Sequence, residues 1–306
     1  MGIFRAVVFF GVLNAVGYSS VAAAQDFNPY ILKSVDYLYS HYRMKGYDIR
    51  SSLTHDVDYG GKGVIKASNP PRTMCVAAVL ETIIEAIKLY AEVTGDNTVF
   101  DKIPIAALTK GNVFSLRANI FIYEGTGSHG TAFTLARFDI GKELPFAELK
   151  PGDFINFNRT NNTGHSVVFL GFLGRDLKVQ NAYGSDVVGF RYFSSQGRGK
   201  PDGGLGYRNG FFRGFCPAKS DFPRDCNIML TSNSALLNTG RMSAPNEWAY
   251  LNAVQDRKSE TRSAIESQNP GATKGTVDLL VDEETQKELQ WSPNQQKAFE
   301  NESTDD

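Results

Sequence analysis

Between Phe27 and Tyr42 the apolar residues Ile31, Val35, Leu38, Tyr39 and Tyr42 fall at helical spacing, which predicts a first amphipathic helix. From Met74 to Val93 the pattern changes. Val76, Val79, Leu80, Ile83, Ile84 and Ile87 make this stretch apolar on most sides, and a helix of that kind is a central one. Asn69-Pro70-Pro71 ahead of it reads as a helix start, a capping side chain followed by proline at the first helical position. The stretch from His55 to Ser68, with Tyr59-Gly60-Gly61 and Gly63, is loop-like. Gly111 to Ala118 and Gly130 to Phe138 predict shorter helices. After Pro151-Gly152 the period falls to two, and strands are expected at Asp153–Asn158, His165–Leu173, Leu177–Tyr183 and Val187–Ser194. Gly203 to Phe215, rich in glycine and aromatics, adds a further strand or bent pair. Helices first and an antiparallel sheet afterwards make an α+β domain. Ser243 to Ser267 predicts a surface helix. The chain from about residue 268 is acidic, Gln-rich and poor in apolar residues, so a disordered tail is expected.

The N-terminus changes the picture. Arg5, the apolar run Ala6–Gly17 and the small residues Ala22 and Ala24 have the form of a secretory signal peptide over residues 1–24, cut after Ala24. The competing reading, a membrane anchor, is disfavoured because the run is short for a span. A secreted or periplasmic protein follows, with a folded catalytic domain over 25–240 and a helical extension and acidic tail over 241–306. An exported chain works in an oxidising place. Cys216 and Cys226 sit close together in FCPAKSDFPRDC, and a disulfide between them would add about 3 kcal/mol in the chain-entropy model. Cys75 is then left over. Charge is uneven: residues 266–306 carry a net −7, which leaves +6 on residues 1–265. That balance suits an anionic polymer as partner, or is an ordinary solvated surface. No histidine pair has zinc-motif spacing, so neither metal nor cofactor is expected.

A thiol attacks as thiolate, and a free thiol near pKa 8.5 is mostly protonated at neutral pH. The positive end of a helix dipole and a nearby imidazolium both lower that value. Cys75 stands near the start of the central helix, in its first turn or, if the helix begins at Pro70, its second. A packed core cysteine is the alternative. His165 follows Thr163-Gly164 and opens HSVVFLGFL, a strand apolar on both faces, where a polar ring is rigidly placed. A histidine simply bonded to backbone at a strand end is the alternative. His41, His55 and His129 lie in less constrained surroundings, His129 in the glycine-rich loop GTGSHGT. A base imidazole needs a third group on its other nitrogen. If a three-residue loop joins the next strand, Asn181 shares a face with His165; a two-residue loop puts Gln180 there instead. Asp153, in its Pro-Gly-Asp turn, reads as structural. Arg72 is a candidate contact for an acidic substrate, or a solvated arginine.

A cysteine opening a central helix, then LKPGDFINFNR at 149–159, GHSVVFLGF at 164–172 and VQNAYGS at 179–185, resembles the NlpC-type and CHAP-type cell-wall amidases and endopeptidases of the papain-like superfamily. The resemblance covers roughly residues 55–195. Met74-Cys75-Val76-Ala77 stands where the family has Asp-Cys-Ser-Gly. The resemblance implies a papain-like fold, with the nucleophile on a central helix packed against an antiparallel sheet. It also implies a cysteine hydrolase with Cys75, His165 and Asn181 as catalytic residues. Tyr59-Gly60-Gly61 is similar to the family's Tyr…Gly-Gly segment, which implies that Tyr59 helps the Cys75 backbone N–H hold the oxyanion and contacts substrate. Peptidoglycan or another peptide is the implied partner, with no nucleic acid, and with a membrane only during export. Other readings of the same residues are an acyl or peptidyl transferase, a protease toxin acting on a protein target, or a catalytically inactive cell-wall binding module.

Overall fold

The computed structural model describes residues 26–300 apart from 198–199, 201–202 and 220–222; the expected signal peptide and residues 301–306 lie outside it. The chain begins with α1 (Asn28–Tyr42) and a small hairpin, β1 (Val57–Asp58) and β2 (Val64–Ile65). The central helix α2 (Cys75–Thr94) follows, then the short helices α3 (Val99–Lys102), α4 (Ile105–Thr109), α5 (Leu116–Ile120) and α6 (Thr131–Arg137). The strands are β3 (Gly141–Glu143), β4 (Phe154–Asn158), β5 (Gly164–Gly174), β6 (Val179–Gln180), β7 (Val187–Gln196), β8 (Gly204–Phe212), β9 (Arg224–Ile228) and β10 (Leu237–Met242). Three helices close the chain: α7 (Tyr250–Gln268), α8 (Lys274–Gln286) and α9 (Pro293–Glu300).

The strands form one sheet in the order β3-β10-β4-β5-β7-β8-β9, with β6 against the far end of β5. All pairings are antiparallel except β8 with β9. The α+β class is therefore as the sequence pattern predicts. The sheet is apolar on both faces. On one, Phe154, Val168 and Phe193 pack against α2 and its neighbours in the main core. On the other, Ile155, Phe157, Val167, Phe169, Phe190 and Tyr192 pack with Phe146, Phe212 and Leu237 in a second core. In α2, Val76, Val79, Leu80, Ile83, Ile84 and Ile87 are all at most 1% exposed; each contributes about 1.5–3 kcal/mol through burial.

Three expectations change. The chain is not helical at Pro70: Met74 is an extended N-cap (φ −128°, ψ 176°) and Cys75 is the first helical residue. The expected boundary at residue 240 falls inside β10, a strand paired on both sides, so the sheet needs residues beyond it. Residues 269–300, expected to belong to a disordered tail, form α8, an extended strap and α9. Val277 and Val281 supply α8's buried face.

Candidate active site

Cys75 is fully buried at the N-terminus of α2. The preceding residue pair is fixed from the sheet side. Ser195 of β7 donates its hydroxyl to the Thr73 carbonyl (3.2 Å), and the Ala78 N–H closes the first turn on the Met74 carbonyl (2.8 Å). Ser195 lies two residues from Phe193 along β7, on the sheet face that carries α2.

His165, 3% exposed, opens β5 opposite Phe157 of β4. Its ring stands edge-on to Phe157 (5.7 Å between centroids) and to Tyr192 (5.8 Å). Both rings belong to the second core. Alternation along β5 places Ser166 and Val168 towards α2, and His165, Val167 and Phe169 away from it. Cys75 and His165 thus lie on opposite faces of the sheet. α2 packs on β5 through helix-side residues such as Val168, and the start of α2 and His165 both border a cleft of about 210 Å³, lined by Val76, His165, His129, Asn156, Asn158 and Gln295 among others.

The expected third residue is displaced along the strand. β6 pairs Val179 with Leu173 and Gln180 with Phe172. Seven residues of strand, at about 3.3 Å each, put that end of β5 roughly 23 Å from His165. Asn181 is exposed there, and Gln180 donates to Asp186 (3.3 Å). Neither is brought to the imidazole. Continuing the β5–β7 register by three residues sets Gln196 across from His165 instead. Gln196 Oε1 lies 2.9 Å from the Tyr192 hydroxyl, which also lies 3.3 Å from Asp225 Oδ2; its single proton serves one of them at a time. Asp225 in turn holds Arg159 in a bidentate pair (Nε–Oδ1 and Nη2–Oδ2, both 2.5 Å), with each side chain 2% exposed. This polar network shares His165's face, and no motif in the sequence marks it.

Tyr59 is also displaced. It is fully buried, donates to the Ile103 carbonyl (2.9 Å) and stands edge-on to Phe100. Burial pushes its hydroxyl pKa upward, and the side chain does not line the cleft. The Tyr-Gly-Gly stretch is a turn: Gly60 and Gly61 have φ of 58° and 71°, and the Phe100 ring fills the space a side chain at residue 60 would need. Arg72 is half-exposed and faces Asp48 at 3.7 Å, a surface ion pair. Asp153 is structural. Its carboxylate receives Arg241 Nε and Nη2, Asn28 Nδ2 and the Lys150 N–H, each at 2.7 Å. The conspicuous Pro-Gly-Asp motif thus joins α1, β4 and β10.

His129 lies in the loop just before α6 and lines the cleft. Its loop is pinned: Ser128 Oγ accepts from the Gly130 N–H (3.1 Å), and Asn156 Oδ1 accepts from the Thr131 N–H (2.8 Å). His129 Nδ1 lies 3.3 Å from Ser234 Oγ.

A second cluster lies along α2. His55 Nδ1 is 3.0 Å from Glu81 Oε1, and Nε2 is 3.2 Å from Glu85 Oε1. Tyr42 stacks on the ring at 4.0 Å. Glu81 is fully buried and also accepts from the Thr54 N–H and hydroxyl, both at 2.8 Å. Burial opposes charge on His55, but its hydrogen bonds to the two carboxylates outweigh that and raise its pKa to about 9. Burial raises Glu81, whereas Glu85 is held low: there His55 and Lys88 outweigh burial. Glu81 and Glu85, one turn apart in an apolar helix, were the available signal. Among the described residues no group of three or more His, Cys, Asp or Glu side chains is arranged to hold a metal ion, and no helix is long and apolar enough to cross a membrane. The disulfide Cys216–Cys226 is formed, with a Cα separation of 5.5 Å. Comparisons with protein families, characterised proteins and solved structures give no match.

Proposed function

We propose that the protein is an exported cysteine hydrolase that cleaves amide bonds in peptides, with peptidoglycan stem or cross-bridge peptides as the substrate class and Cys75 as nucleophile. The supporting observation is the position of Cys75 as the first residue of a 20-residue central helix beside a cleft that carries two imidazoles. The helix dipole favours a thiolate there, and first-turn N–H groups, which lack partners within the helix, are suited to an oxyanion. An imidazole takes the thiol proton, Cys75 attacks the carbonyl, the imidazolium protonates the leaving amine, and water releases the acyl group. The resemblance nominates His165 as that base. Strand parity counts against it, and His129, which lines the same cleft, is the alternative base. The disulfide is consistent with export.

One reading competes: a binding module whose cysteine is only packed. The full burial of Cys75 and the opposite-face position of His165 favour it. Transfer to a second amine, or attack on a protein target, are further outcomes of the same chemistry. Incubation with purified sacculi, followed by muropeptide analysis, separates them. Hydrolysis predicts new muropeptides that vanish in Cys75→Ala. The same digest with His129→Ala and with His165→Ala identifies the base. Intact muropeptides with no preferential labelling of Cys75 by iodoacetamide at pH 6 would refute the enzyme readings.

A further inference from the structure

The C-terminal segment after α8 runs back across the molecule and ends at the cleft. Its fastenings are specific. Leu289 N–H donates to the Gly111 carbonyl (2.8 Å), and Gly111 N–H donates to Glu288 Oε2 (2.9 Å). Glu124 N–H donates to the Gln290 carbonyl (3.0 Å). The Trp291 indole lies near-parallel to Phe121, with centroids 5.9 Å apart, edge-on to Tyr123, and donates Nε1–H to the Phe121 carbonyl (2.6 Å). In the first turn of α9, Gln295 lines the cleft, donating Nε2–H to the Ile122 carbonyl and accepting the Ser292 N–H, both at 2.9 Å. Ile122 lines the same cleft at φ 55°, a left-handed conformation that a β-branched residue rarely adopts. Such conformations persist where their surroundings hold them, and here the strap's last contact falls on that residue. The cleft as closed, about 210 Å³, is below the roughly 300–1,000 Å³ of sites that enclose a small ligand.

We propose that residues 287–295 form an autoinhibitory strap, latched by Trp291 and Gln295, which narrows the cleft beside the N-terminus of α2 and must lift before a peptide-sized ligand enters. This rests on the reading of that cleft as the working site. A partner or a protease acting on the 287–292 stretch would release it.

The test is the rate at which Cys75 is alkylated by iodoacetamide in the folded full-length protein at pH 8, followed by intact mass, together with amide exchange over residues 287–296. In Trp291→Ala, faster strap exchange and at least a tenfold faster alkylation are expected. Arg262→Ala, which breaks the Arg262–Asp278 pair between α7 and α8 without touching the strap, is expected to alkylate at the parent rate. A freed strap with unchanged alkylation overturns the proposal, as does an equal acceleration in Arg262→Ala. If the strap stays protected even in Trp291→Ala/Gln295→Ala, these contacts are not its latch and the proposal falls. The readout is thiol access rather than turnover, so a failed muropeptide digest leaves the strap result standing, and a failed strap test leaves the digest standing.

Discussion

Replacing His55 by Gln tests the charged cluster that fastens the 47–73 segment to α2. The imidazole bridges Glu81 and Glu85, and the ring is 14% exposed. Its pKa rises from 6.5 to about 9, a difference that corresponds to about 3 kcal/mol; with water at the ring edge, about 2 kcal/mol is the safer figure. The sign follows from the direction of the shift. A histidine whose pKa is raised by folding contributes its stabilisation fully below the unfolded value, near 6.5, and loses it as pH rises through 9. Glu85, held low, works in the opposite sense and loses its contribution only in acid. His55→Gln keeps hydrogen-bonding capacity but removes the charge, leaving Glu81 buried without a cation. Urea unfolding at pH 6 is therefore expected to show His55→Gln about 2–3 kcal/mol less stable than the parent. At pH 9.5 the gap should shrink to below about 1 kcal/mol, because the parent itself has lost the imidazolium. A gap that is constant between pH 6 and 9.5 would refute the assignment of the cluster as a charged pair.

Three further outcomes are expected. Asp225→Ala leaves Arg159 buried without its carboxylate and should cost about 3–5 kcal/mol, seen as a melting temperature lower by about 6–20 °C. Cys75→Ala should keep the far-UV circular dichroism and melt within a few degrees of the parent while losing iodoacetamide uptake at pH 6; loss of folding would make the cysteine a core residue. Cys216→Ser/Cys226→Ser opens a loop with a sequence separation of 10 and should lower the unfolding free energy by about 3 kcal/mol, measured as a urea midpoint that no longer responds to reductant.

The elements built on strong periodicity were legible. The 3.6-residue pattern of Phe27–Tyr42 and Met74–Val93 gives α1 and α2 to within a residue, the period-two stretches give β4, β5 and β7, and the glycine- and aromatic-rich stretch from Gly203 gives β8. β10 was not legible, because LNTGRM is half polar; its Asn238 is spent on the Phe133 N–H (2.9 Å) inside the fold. The strap was hidden for a similar reason. A few anchors, Leu289, Trp291 and Gln295, hold a stretch whose average composition reads as solvated. Asn181 failed through turn geometry. The hairpin pairs Leu173 with Val179 around a longer loop in which Leu177 has φ 61°, and so the chain beyond Gln180 leaves the sheet.

His165 illustrates a limit of pattern alone. Grouping it with Val167 and Phe169 is what alternation requires, and those three do share a face. Which face that is depends on what covers the sheet. β5 is buried on both sides by comparable apolar layers, so its sequence carries no polarity to orient it. A rotamer change moves an imidazole by a few ångströms but does not carry it through a sheet whose packed layers are about 10 Å apart. The one-residue offset between His165 and Ser166 therefore decides which face of the sheet carries the imidazole. Ser166, fully buried on the helix side, lies 3.5 Å from the Thr131 hydroxyl. With Cys75 as nucleophile, its proton goes to one of the two imidazoles at the cleft, His165 or His129. The pinned loop Ser128–Thr131 gives His129 the kind of rigidity that β5 gives His165.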